Sequence, residues 1–96
     1  MATLQIAHIR EQQTDLIIVP LDVKFGYRKN RRQEDILFDI KQAARRAGLK
    51  GHVVPVWLDD DHKEMKFMAP EAWHPFFTSI DWPWMTKRLN KTLEIE

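Results

Sequence analysis

Two short apolar runs that each meet a proline, with one amphipathic helix between them, constrain this chain more than any other feature. Leu16-Ile17-Ile18-Val19 runs into Pro20, and His52-Val53-Val54-Pro55-Val56-Trp57 is a second run of the same kind. Continuous apolar runs of this length suit strands buried on both faces. Proline cannot donate to a ladder, so the first strand should end or bulge at Pro20. Between the runs, Ile36, Leu37, Ile40, Ala43, Ala44 and Ala47 recur at helical spacing. The pattern predicts a helix over 31–47. Asn30 stands as its cap, and Gln33 three residues on resembles a capping box. Lys41, Arg45 and Arg46 lie in the second half, where cations suit the helix dipole, and Gly48 is the expected left-handed stop. Strand, helix and strand with short connections make a βαβ unit, so the two strands should run parallel.

The flanks extend this unit. Leu4-Gln5-Ile6-Ala7-His8-Ile9 alternates like a half-buried strand and is expected to pair antiparallel with the next one through a polar turn at 10–14. Met65-Lys66-Phe67-Met68 reads as the hairpin partner of the third strand, across an aspartate-rich turn. Pro70 begins a short helical turn that Pro75 ends. Asp81 caps a last helix, expected from Trp82 to about Glu94. The fold class that follows is α+β, a two-layer sandwich. It has ββαββα order, a four-stranded mixed sheet ordered 1-2-3-4, and a C-terminal helix. A ferredoxin-like order would need a helix between the first two strands, and 10–14 is too short for one.

Ninety-six residues are expected to form one domain. No apolar run is long enough for a membrane-spanning helix, and the first residues lack the charged and apolar regions of a signal peptide. Cysteine is absent, which removes disulfides and thiolate metal sites and agrees with a cytoplasmic location. The formal net charge is +1, so bulk electrostatics does not demand a nucleic-acid partner. Local charge is less even. Between Lys24 and Arg32 the chain carries Lys24, Arg28, Lys29, Arg31 and Arg32 with no acid.

Three candidate surfaces result. The first is that basic loop, where Lys24, Arg28, Lys29, Arg31 and Arg32 could meet phosphates while Tyr27 and Phe25 stack on bases. The second lies beyond the carboxyl ends of the parallel strands, where open sheets tend to bind ligands. Asp22, Asp59, Asp61 and His62 should gather there, with Lys24 nearby. The third is the aromatic segment. Seven of the ten aromatic residues fall between Trp57 and Trp84. Trp73, Phe76, Phe77, Trp82 and Trp84 either lid the sheet or present an adhesive face to a protein partner or a second copy.

Signatures of catalysis are thin. The Asp59–Glu64 stretch lacks the alternating ligands and glycine of an EF-hand loop. Asp22-Val23-Lys24 has the Asp-x-Lys form of metal-dependent nucleases, but no second acid comes from a preceding strand. The four histidines have no metal spacing. Ser79 lacks a nucleophile elbow, and Gly26, Gly48 and Gly51 form no phosphate loop. No catalytic residue, metal or cofactor is assigned. The expected function is a non-enzymatic binding or interaction module capable of self-association. The alternatives are nucleic-acid binding through 24–32 and a small metal-dependent hydrolase or nuclease-like enzyme using Asp22, Lys24, Asp59 and Asp61.

Overall fold

A computed structural model of the chain describes residues 2–59, 61 and 64–95. Its strands are β1 (Ala2–Glu11), β2 (Thr14–Pro20), β3 (His52–Leu58), β4 (Met65–Phe67) and β5 (Lys91–Ile95). The helices are α1 (Asn30–Arg46), α2 (His74–Ser79) and α3 (Trp82–Thr86), with 3-10 turns at Val23–Tyr27 and Glu71–Trp73.

The βαβ unit forms as its pattern requires. β2 and β3 are parallel, with Leu16 opposite His52 and Pro20 opposite Val56. β1 pairs antiparallel with β2 through a two-residue turn at Gln12-Gln13. β4 pairs antiparallel with β3. Pro55 sits inside β3 without breaking the parallel pair, because neighbouring residues of a strand bond to opposite sides. The Val56 carbonyl accepts from Leu21 N at 2.8 Å, on the β2 side, whereas the Pro55 carbonyl accepts from Met68 N at 3.1 Å. The proline's missing donor therefore faces the outer side, where β4 has already ended at Phe67.

The sheet has five strands, in the order β4-β3-β2-β1-β5, not four. The first four neighbour one another as expected. The correction lies at the C-terminus. The helix expected from Trp82 to about Glu94 stops at Thr86, and residues Lys91–Ile95 return as an edge strand against β1, with Leu4 opposite Leu93. Thr92-Leu93-Glu94-Ile95 alternates as a strand does, a pattern masked by the helical spacing of Met85, Leu89 and Leu93. Asn90 makes the switch. Its amide donates to the Ile6 carbonyl at 2.9 Å, its Oδ1 accepts from His8 N at 2.9 Å, and its Nδ2 donates to the His8 carbonyl at 2.9 Å.

The expected two-layer arrangement is also corrected, because helices cover both faces. Ile6, Ile17, Val19 and Leu93 pack against Ile40, Ala43 and Ala44 of α1. On the opposite face, Ala7, Leu16, Ile18, Val54 and Val56 pack against Phe77 and Met85 of α2 and α3. Successive strand residues point to opposite faces, and central strands apolar on both sides need cover on both. α1 ends in a Schellman motif. Gly48, at φ +75°, donates to the Arg45 carbonyl, and Leu49 N donates to the Ala44 carbonyl, each at 3.0 Å. Its start differs from expectation. Asn30 is already helical, Lys29 is the cap residue with no side-chain bond, and Gln33 bonds elsewhere. Among the described residues no helix is long and apolar enough to cross a membrane.

Candidate anion-binding site

The basic loop is folded onto the sheet by its own small residues. Asp22 caps the 3-10 turn, its Oδ1 accepting from Lys24 N at 2.9 Å. The turn drives Phe25 inward, where it is buried and its ring lies 4.9 Å from that of Trp57 on β3. Gly26 lets the backbone lie against the indole, since a Cβ there would stand 2.7 Å from Trp57 Nε1. Gln33, 8% exposed, reaches back from the first turn of α1, and its Nε2 donates to the Phe25 carbonyl at 2.9 Å. The sequence pattern missed this role. Its only signal was a glutamine near a helix start, which capping explained equally well.

With Phe25 held inside, the residues around it face out. Lys24, Tyr27, Arg28, Lys29 and Arg32 line one hollow of about 450 Å³. Four of the five carry positive charge, and Tyr27 is 65% exposed. α1 opens beside it with no acid in its first turn, so the partial positive charge of its free N–H groups adds to that of the side chains. Arg31, expected with this group, is exposed and does not line the hollow. Phe25, expected to stack on bases, is enclosed instead.

The strand ends do come together, as Pro20 and Val56 are paired. Their acids are turned to local work. Asp22 caps the 3-10 turn, and Asp59 closes the β3–β4 turn, its N donating to the Glu64 carbonyl at 3.0 Å and its Oδ1 accepting from Glu64 N at 3.3 Å. Asp61 is exposed, and His62 lies outside the described residues. A smaller hollow of about 180 Å³ runs from Asp59 and Lys66 past Trp57 to Gly26 and Tyr27, so Tyr27 borders both hollows. Among the described residues, no three histidine, aspartate or glutamate side chains are grouped to hold a metal ion.

The aromatic segment lies over the second face of the sheet. Phe77 is buried, and Trp73, Phe76, Trp82 and Trp84 are half-buried against the same cluster. Edge-on contacts join Phe76 to Trp73, Phe77 and Trp84 at 5.9, 5.1 and 5.8 Å between ring centres. Arg88 lies 3.8 Å above the Trp84 ring and bonds the Trp84 carbonyl. His74 Nε2 bonds the Ala69 carbonyl at 3.0 Å, and its ring meets Phe67 edge-on. Comparison with protein-family models, with curated proteins and with solved structures gave no match.

Proposed function

We propose that this chain is a binding module that takes single-stranded nucleic acid at the hollow beside the start of α1. The observation that carries the reading is the make-up of that hollow, four cations around one projecting tyrosine with no acid among the lining residues. Lys24, Arg28, Lys29 and Arg32 supply the charge that a phosphate backbone needs, and arginine adds bidentate contacts to phosphate oxygens. Tyr27 offers a ring on which an unpaired base can stack. A duplex keeps its bases stacked on one another, so a single strand gains more from this ring. The aromatic segment supports an interface less well, since its rings spend most of their area on the sheet.

The test is fluorescence anisotropy with a short unstructured oligonucleotide across a salt series. Contacts from four cations give a slope of log K against log salt of about −3, at about 0.7 per phosphate neutralised. Replacing Arg28 and Arg32 together by alanine should flatten that slope by about 1.4. Tyr27→Ala should cost about 1–3 kcal/mol while leaving the slope unchanged. Absence of binding at low salt, or equal binding of a matched duplex and inorganic polyphosphate, would overturn the reading.

A further inference from the structure

We propose that the small hollow beside Tyr27 is a base pocket of the same nucleic-acid site, and that it selects guanine. This rests on the larger hollow being the seat of the phosphate backbone. The two hollows share Tyr27 and differ in chemistry as the two ends of a nucleotide do. The larger is lined by Lys24, Arg28, Lys29 and Arg32 and has no acid among its lining residues. The smaller has apolar walls from Val23, Trp57 and Leu58, and its charged groups among the described residues are Asp59 and Lys66. A phosphate is attracted to the first and repelled by Asp59 at the second. A flat ring with apolar faces and a polar edge suits the second, since ligand pockets combine an apolar lining with a few placed polar groups.

The pocket is built on a fixed aromatic wall. Trp57 is half-buried on β3, with the buried Phe25 ring 4.9 Å away. Gly26 lies so close to the indole that a Cβ there would stand 2.7 Å from Nε1. A larger residue at 26 would displace the indole or fill the hollow. The hollow's volume, about 180 Å³, suits one base better than a whole nucleotide. A base seated there leaves its phosphate outside, toward the cations that share Tyr27.

Asp59 and Lys66 choose the base. A carboxylate accepts from two adjacent N–H donors, and an ammonium donates to a carbonyl oxygen. Guanine carries that set on its Watson–Crick edge, N1–H and N2–H beside O6. Adenine and cytosine each offer one amino donor there next to ring acceptors. Thymine and uracil offer one N–H between two carbonyls. Asp59 Oδ1 accepts from Glu64 N at 3.3 Å, and a carboxylate has lone pairs for further donors. Lys66 Nζ lies 3.1 Å from Glu64 Oε2, and both side chains are exposed. A single strand presents the Watson–Crick edge that pairing covers in a duplex.

Anisotropy titrations of the full chain test this, with a thymine-only oligonucleotide and the same oligomer carrying one central guanine, adenine or cytosine. The guanine oligomer should bind on the order of tenfold more tightly than the others. Its salt slope should be the same, because the phosphates are unchanged. Asp59→Asn keeps an acceptor for Glu64 N and should abolish the guanine preference while the thymine oligomer still binds. A second measurement uses the wild-type chain, titrated with guanosine monophosphate and followed by NMR. The Trp57 indole N–H, assigned by its loss in Trp57→Phe, and the Gly26 amide should shift, and uridine monophosphate should shift them less. Salt-dependent binding without a guanine preference, or with one that Asp59→Asn retains, overturns the base pocket and leaves the backbone site standing. So does guanosine monophosphate that shifts the cationic hollow and neither Trp57 nor Gly26. Failure of every oligomer to bind at low salt overturns both readings.

Discussion

Asn90 does with one side chain what a strand does with its backbone. Its amide group meets both the N–H and the carbonyl of His8, and its own N–H meets Ile6. Those groups lie on the edge of β1 that β5 goes on to occupy. Replacing Asn90 by alanine should cost about 1–2 kcal/mol in urea denaturation, since two modest hydrogen bonds are lost where water can partly replace them. Gln33 is the buried counterpart. Alanine there strands the Phe25 carbonyl without its donor, so the expected loss is larger, about 1–3 kcal/mol. Because this bond holds the 3-10 turn against α1, nucleic-acid affinity should fall as well, while the salt slope is kept. Neither role can be read from residue type. An asparagine near a turn and a glutamine near a helix start have many partners within reach of their chain neighbours, and the ones they use lie 82 and 8 positions away.

At the scale of elements, the hairpin between β1 and β2 is the least comfortable connection. Gln12 and Gln13 stand at φ 50° and 66°, the left-handed region that two-residue hairpin turns require and that asparagine and glycine tolerate best. Changing the pair to Asn-Gly should therefore stabilise the chain by about 1 kcal/mol, read as a shift of the urea midpoint at constant slope. The turn's place was legible as a polar stretch between two apolar ones, although its residues are unusual for its geometry. α1 was legible to within one residue at each end because its stripe, its cationic last turn and Gly48 agree. The segment after Thr86 misled because Leu89 and Leu93 fit a helical spacing and an alternating one equally well. What separates the two is the free edge of β1, which accepts Leu93 opposite Leu4.

For the whole molecule, β5 joins the N-terminal strand to the C-terminal end of the chain and completes the core beneath α1. Leu93 is buried there with Ile6 and Ile40. Leu93→Ala should cost about 2–5 kcal/mol by thermal or chemical denaturation. The basic hollow rests on β3, three strands away from β5, so the salt dependence of nucleic-acid binding should persist wherever the variant is folded. The parallel pairing of β2 and β3 and the crossing helix between them followed from sequence alone. Two doubly apolar runs and one amphipathic stripe, joined by short loops, can bury their apolar surfaces together in few ways. The basic character of the loop from Lys24 to Arg32 followed too, since charge is a property of the residues themselves. Only the tertiary structure decided which of those cations face one hollow, because that depends on Phe25 finding Trp57 and on Gln33 finding Phe25. It also decided that the aromatics cover the second face. Coverage belongs to the assembled sheet, whose free edges and faces exist only once every strand is in place.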